Sequence, residues 1–142
     1  MDGPVSGDPH EVINPAALPP PRGYAHVVVA RAGRTVHLAG QTGHRADGSL
    51  AGEELVEQFD QACANLVEAL GAAGGRPEHI VSLTIYTTDL ATYREARPVI
   101  GQAYQRHLGK HYPAMALLGI SELVDPAAKV EISGVAVIPD GG

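Results

Sequence analysis

The stretch Lys129-Val-Glu-Ile-Ser-Gly-Val-Ala-Val-Ile138 predicts a β-strand with two unlike faces. Successive side chains of a strand point to opposite faces of its sheet. One row consists of Val130, Ile132 and Ala136, which suits a core under helices. The other row mixes polar and apolar side chains and consists of Glu131, Ser133, Val135 and Val137. Because that row would expose valines in a single copy, we expect an oligomer with clefts where the uncovered faces meet.

Two amphipathic helices are predicted upstream of this strand. Apolar residues recur at helical spacing over Glu53–Ala73, and a second helix is expected over Tyr93–Leu108, with Thr92 and Glu95 as a capping box. Pro98 conflicts with one continuous second helix. It either kinks the first turn or marks the true first turn, with a separate short turn before it.

The remaining apolar segments predict a sheet that two helices cover on one face. Strands are predicted over residues 25–30, 34–39, 80–88, 114–120 and 129–138. The first two strands are expected to form a hairpin in which His26 and His37 make a cross-strand pair. The order β-β-α-β-α-β-β has too few helices to cover both faces, which indicates an α+β fold.

Composition favours one globular domain that acts on small molecules or on protein. The chain has 142 residues, and six of its 11 prolines fall in an expected N-terminal arm, residues 1–23, ahead of a single domain at 24–142. A net charge of −6 opposes binding to nucleic acid or to an anionic membrane. Its single cysteine permits no internal disulfide, so we expect a cytoplasmic protein, and no apolar run approaches the roughly 18 residues of a membrane span.

Few residues stand out as candidates for chemistry. Cys63 falls beside the core stripe of the first helix and is expected to be a packed apolar residue. His107 and His111 are four apart, but Gly109 lies between them and favours a helix end over a metal pair. The sequence has no phosphate-binding glycine loop, and no metal or cofactor is expected. Glu131, in the middle of an apolar strand, is either a surface position or an acid that deprotonates water in a cleft.

Three segments together resemble the YjgF/RidA family. They are Leu38-Ala-Gly-Gln-Thr-Gly43, the passage through Leu66-Val-Glu-Ala-Leu70 and Val81-Ser-Leu-Thr-Ile-Tyr-Thr-Thr-Asp-Leu90, and Tyr112-Pro-Ala114 followed by Lys129-Val-Glu-Ile132. The resemblance implies a fold like that of the Bacillus chorismate mutase, with a mixed sheet and two helices on one face, and a homotrimer with small-molecule clefts between subunits. It also implies deaminase chemistry, in which imines such as 2-iminopropionate are hydrolysed to 2-keto acids and ammonia.

The resemblance assigns site residues and exposes one departure. It implies that an arginine holds the substrate carboxylate while a glutamate positions the attacking water. Glu131 matches that glutamate, Tyr24 a cleft tyrosine, and Gly40 a glycine that borders the ligand. However, Met115 stands in place of the arginine, and Leu117 stands where many members have cysteine. Other cations are available for the missing role, namely Arg106, Lys110 and His111.

The leading interpretation is therefore a RidA-like homotrimer that binds a small, less anionic imine, enamine or carbonyl compound and hydrolyses imines if it is catalytic. Met115 and Leu117 would give its cleft an apolar wall. A trimer that binds a metabolite or a partner without catalysis is the alternative, which the loss of the arginine favours. Ribonuclease or translation-inhibitor activity is a weaker alternative, because the chain is acidic.

Overall fold

The computed structural model describes residues 8–141 and contains one four-stranded sheet, one two-stranded sheet and three α-helices. The strands are β1 (Glu11–Ile13), β2 (Val27–Val29), β3 (Gly33–Thr42), β4 (Ile80–Thr87), β5 (Ala114–Gly119) and β6 (Val130–Pro139). The helices are α1 (Leu55–Ala72), α2 (Leu90–Glu95) and α3 (Arg97–Leu108), with a short 3-10 helix at Pro77–His79.

The main sheet is mixed, as the family resemblance implies. Its strand order is β3-β6-β4-β5, in which β6 pairs antiparallel with both neighbours and β4 pairs parallel with β5. β6 is thus a central strand, and β3 and β5 form the two edges. The prediction of an α+β fold is confirmed.

Helix α1 forms the core with the sheet. It packs on β3 and β6, and α3 packs against α1. The inward stripe of α1 is completely buried and includes Phe59, Cys63 and Leu66. Burial raises the pKa of the Cys63 thiol, which fits the expected role as a packed apolar residue. The helix ends at a turn where Gly74 has a φ of +87°, a conformation that glycine adopts without steric cost.

The region predicted as one second helix is two helices. Asp89 caps α2 by accepting a hydrogen bond from the Thr92 amide at 3.0 Å, so the predicted capping box from Thr92 to Glu95 is wrong. Pro98 occupies the first turn of α3. There the missing amide proton breaks no helical hydrogen bond, which is the second of the two alternatives for this proline.

The predicted hairpin between the first two strands is wrong. β2 pairs with β1, whereas β3 pairs with β6. His26 instead hydrogen bonds through Nε2 to the Pro19 carbonyl at 2.7 Å, and His37 lies opposite Val135, so the expected histidine pair does not form. β2 pairs with β1, a three-residue strand in the proline-rich region, where no strand is predicted.

The expected N-terminal arm, from residue 8 onward, lies on the domain. His10 is 2% exposed, and its two ring nitrogens bond to the Val137 carbonyl at 2.8 Å and the Arg31 amide at 3.0 Å. The earlier part of that arm, residues 1–7, lies outside the described residues. Along residues 8–141, no helix has both the length and the apolar character that crossing a membrane requires.

Candidate functional site

Glu131 and Gly40 meet on the sheet face that the helices leave open. In the register, Glu131 lies between Thr42 of β3 and Tyr86 of β4, and its side chain is half-buried. A Cβ added to Gly40 would lie 2.5 Å from the Glu131 Oε2 atom. Any larger residue at position 40 would therefore displace the carboxylate. The structure brings together these two predicted site residues.

The Glu131 carboxylate is available to a ligand or to water. Within residues 8–141 it accepts no hydrogen bond and forms no ion pair. Among the described residues, every buried polar side-chain atom has a hydrogen-bond partner. Because the Glu131 oxygens have none, they are not buried, and solvent reaches them. Its neighbours on the open face are hydroxyl-bearing side chains, namely Thr42, Thr84, Tyr86 and Ser133. A carboxylate placed this way is suited to orient and deprotonate water.

Met115 and Leu117 face the other side of the sheet. In the parallel register Met115 lies opposite Leu83 and Leu117 opposite Ile85, two residues of the helix-covered core. Both line a cavity of about 490 Å³ between the sheet and the helices. A single copy of the chain therefore does not place these two residues in one cleft with Glu131.

Tyr24 lies beside the N-terminal end of β5. Its ring packs edge-on against His26 with the centroids 5.2 Å apart, and the amide of Ala25 donates to the Pro113 carbonyl at 3.0 Å. The preceding residues, Arg22 and Gly23, line the same cavity as Met115. Tyr24 is thus placed next to that cavity and away from Glu131 within one copy.

Aromatic rings form much of the cavity wall. Tyr104 and Tyr112 stack with their centroids 5.3 Å apart, and Phe59 meets Tyr93 edge-on at 6.1 Å. The Tyr104 hydroxyl donates to the His111 carbonyl at 2.6 Å. Burial raises the pKa of Tyr93 to about 12, so its hydroxyl stays protonated and can act as a donor. No hydrogen bond of that hydroxyl is found within residues 8–141.

Two arginines at the cavity were missed by sequence reasoning. Arg22 and Arg97 are exposed and line it, and neither forms an ion pair within the described part of the chain. The signal for Arg97 was present, because positions 97, 100 and 104 fall on one face of a helix. The signal for Arg22 was absent, since it lies in an irregular segment.

The sequence has three candidates to replace the substrate-binding arginine, and the structure shows each with another partner or away from the cavity. Arg106 donates to Asp60 Oδ1 at 2.6 Å, and His107 bonds to the same oxygen at 2.9 Å. His111 bonds through Nε2 to the Ile80 carbonyl at 2.8 Å. Lys110 is exposed and does not line the cavity. None of these histidines acts in a helical metal pair, because α3 ends at Leu108.

A network of polar side chains links the loop after β3 to the loop before β6. His44 bonds through Nδ1 to the Thr42 hydroxyl at 2.5 Å and through Nε2 to Asp125 Oδ2 at 2.8 Å. Hydrogen bonds from the Ala127 amide and from His44 lower the pKa of Asp125. Sequence reasoning missed this network, because its members are separated by 81 positions.

The sequence profile of the family described as Endoribonuclease L-PSP matches residues 15–138. A 2-iminobutanoate/2-iminopropanoate deaminase of Capra hircus is 30% identical over 87% of this chain and 83% of its own. A RutC family protein of Aquifex aeolicus is 31% identical over 89% of this chain and 98% of its own. The crystal structure of a Rid family protein of unknown function, YyfB from Yersinia pestis, aligns with a TM-score of 0.82 at 33% identity, over 92% of this chain and 99% of that one.

Proposed function

Because this chain belongs to the endoribonuclease L-PSP family, which includes the YjgF/RidA proteins, we propose that it binds a small imine, enamine or carbonyl compound and hydrolyses imines. The observation that carries this proposal is the Glu131 carboxylate, which lies against Gly40 and is open to solvent. The imine deaminase named among the relatives, at 30% identity, supports the reaction class.

In this reaction Glu131 activates one water molecule. The carboxylate accepts a proton from water while the water oxygen bonds to the imine carbon, and the proton then passes to the nitrogen. The hydroxyl group of the resulting amino alcohol then gives up its proton, which passes to the nitrogen as the carbon–nitrogen bond breaks. Ammonia leaves, and the carbonyl group that remains contains the water oxygen. The step needs no cofactor, since the atoms and charges balance with water alone.

The site is completed between copies of the chain. Glu131 and Met115 lie on opposite faces of one sheet, so one copy supplies the open face and its neighbour supplies the cavity. β3 and β5 are edge strands, and Leu117 and Leu118 on β5 are 42% and 46% exposed. In the proposed homotrimer a head-to-tail contact between these two edges, repeated three times, would close a ring.

Met115 changes the ligand that this site prefers. A thioether cannot form the two charge-assisted hydrogen bonds with which an arginine holds a carboxylate. Instead Met115 and Leu117 give the cavity an apolar wall, and Tyr24 directly follows the lining residues Arg22 and Gly23. The proposed substrate is accordingly more hydrophobic than 2-iminopropionate. The single buried thiol suits the cytoplasm, which is the proposed location.

The test is an assay of purified protein on 2-iminopropionate and on more hydrophobic imines, with Glu131→Gln and Met115→Arg variants. We expect turnover of hydrophobic imines that falls about a hundredfold in Glu131→Gln, within the usual range for a lost general base. Met115→Arg should raise activity on 2-iminopropionate relative to wild type. Equal background turnover by wild type and Glu131→Gln across all the imines would refute catalysis.

A ligand-binding trimer without catalysis is the second candidate, and Met115 is the observation that favours it. Saturable binding of the same compounds without turnover would support it. Ribonuclease activity, which the family's name suggests, is disfavoured by the net charge of −6. The trimer itself is tested by light scattering, where a monomeric mass would refute it.

A further inference from the structure

The cavity behind Met115 is larger than a three-carbon substrate requires. Its volume of about 490 Å³ falls in the range of roughly 300–1,000 Å³ that is typical of pockets for drug-sized ligands. The side chain of an alanine-derived imine is a single methyl group, which would leave most of this space empty. The cavity therefore has room for a much larger side chain.

The inner walls of the cavity suit an apolar and flat group. Ile85, Ile100 and Met115 contribute aliphatic surface, and Phe59 lies at the base with Tyr93 edge-on to it. Aromatic rings pack well against such edge-to-face pairs and against a polarizable thioether. These walls favour a phenyl-sized substituent over a charged or strongly hydrated one.

The exposed side of the cavity carries positive charge. Arg22 comes from the N-terminal segment and Arg97 from the first turn of α3, and both are exposed residues that line the cavity. Neither has an acidic partner within residues 8–141. One cavity is thus lined by two guanidinium groups without an acidic partner in the described residues, although the chain has a net charge of −6. A guanidinium binds a carboxylate through two parallel hydrogen bonds.

The hydroxyl of Tyr93 adds a neutral donor beside these cations. Tyr93 and Arg97 both line the cavity. This hydroxyl has no hydrogen-bond partner within the described residues. The cavity therefore holds a neutral donor as well as two cationic ones for a ligand carboxylate.

We propose that Arg22 and Arg97 bind the carboxylate of a ligand whose aromatic or similarly bulky apolar side chain fills the cavity. They thereby replace the clamp that Met115 lacks. This inference rests on the proposed function and names its substrate class: 2-imino acids with large apolar side chains, which are hydrolysed to the matching 2-keto acids. The preference for hydrophobic substrates remains, but the carboxylate becomes part of recognition.

Gly101 offers a way to block the cavity without damaging the fold. It lines the cavity on α3, and a Cβ added there would meet no atom within 4 Å. A leucine at this position extends into open space, and it favours a helix more than glycine does. Gly101→Leu should thus fill the cavity while leaving the thermal midpoint of unfolding unchanged or higher.

The experiment measures binding of unreactive probes by calorimetry. The probes are 3-phenylpropionate, its neutral amide and propionate, which separate the contribution of charge from that of the side chain. We expect 3-phenylpropionate to bind about tenfold more tightly than either of the others, a difference that each missing interaction readily accounts for. Arg22→Gln/Arg97→Gln should abolish the preference for the carboxylate over the amide. Gly101→Leu should weaken binding of both phenyl probes about tenfold or more.

Arg94→Gln is the matched control, because Arg94 is exposed on α2 and does not line the cavity. It should bind all three probes as wild type does. The proposal is overturned if the amide binds as well as the acid, if the double variant keeps the preference, or if Arg94→Gln loses it equally. Failure of the hydrolase proposal is distinguishable, because it would leave this binding pattern intact and remove only Glu131-dependent turnover.

Discussion

The two faces of the main sheet are built from the same strands but differ in what covers them. On the helix-covered face, Leu83 and Ile132 are at most 2% exposed. On the open face their strand neighbours Thr84 and Glu131 remain half-buried and carry polar groups. Because side chains alternate along a strand, each strand contributes one row to the core and one row to the open face. The difference shows that the core depends on α1. The open face is covered only in part: the expectation that its valines are exposed in a single copy is wrong for Val137, which is 8% exposed, and whose carbonyl bonds to His10 from the N-terminal segment.

On the helix-covered face, the helices cover some strands of the sheet more completely than others. Over β3 and β6, α1 packs directly on the sheet, but at the β5 edge the layer leaves the cavity that Met115 and Leu117 line. Leu117 is thus a residue of the helix side that stays substantially exposed. We propose that ligands bind at this cavity and at the open face.

The largest expected effect separates the two faces by stability. Leu66→Ala removes a wholly buried side chain of α1 and should lower the free energy of unfolding by roughly 2–5 kcal/mol. The matched variant Leu118→Ala, on the open face of β5, should cost about 1 kcal/mol or less in a dilute sample. Urea denaturation measures both losses. Equal losses at low concentration would break the distinction between the faces.

The next prediction concerns the hydrogen bonds that join α1 to the segment leading into β6. Gln58 on α1 is wholly buried, and its amide group binds the carbonyls of Gly52 and Ala127 and the amide of Lys129. Gln58→Ala leaves these buried groups unpaired and should destabilise the fold by roughly 2–4 kcal/mol. Urea denaturation measures this loss too.

Gln61→Ala is the control for Gln58, since Gln61 makes a side-chain bond only within α1, to Asn65. That variant should change stability by about 0.5 kcal/mol or less. A similar cost for the two glutamines would contradict the view that Gln58 anchors the segment leading into β6.

A smaller expected effect acts on the open face alone. In Gly40→Ala the new Cβ would lie 2.5 Å from the Glu131 carboxylate and must push it aside. Imine hydrolysis should fall about tenfold, equivalent to about 1.4 kcal/mol in the barrier. Gly71→Ala is the control, because its Cβ meets nothing within 4 Å. Retention of full activity in Gly40→Ala would argue against Glu131 as the base.

The smallest expected effect lies on the outer surface of the helix layer, where Asp60 joins α1 to Arg106 and His107. Burial raises the pKa of Asp60, but hydrogen bonds from these two residues outweigh it and leave the pKa below its usual value of 3.8. The unfolded chain therefore binds the proton more readily, so this contribution is present above that value and is lost as pH falls through the folded pKa.

Asp60→Asn should accordingly lower stability at pH 6 by less than about 1 kcal/mol and reduce the loss of stability on acidification below pH 4. Glu53→Gln provides a control at an exposed carboxyl group without an ion pair in the described residues. Denaturation at a series of pH values measures both. An unchanged acid profile in Asp60→Asn would show that this pair does not contribute.

Much of the fold follows from local patterns that sequence alone reveals. The apolar stripe of α1 and the alternation in β4 and β6 predicted elements within a few residues of their observed bounds. Glu131 and Gly40 were identified through short motifs, and the structure brings them into contact. The hairpin prediction failed because β2 finds its partner in a three-residue strand near the N-terminus, too short to show a pattern.

The sequence by itself determined the α+β class, the inward and outward rows of β6, and the absence of an arginine at position 115. These properties depend on the order and spacing of neighbouring residues. Only the tertiary structure decided that Met115 faces away from Glu131 and that Arg22 and Arg97 share its cavity. The physical reason is that strand register and helix packing join residues distant in the chain, and no local spacing encodes which of them meet.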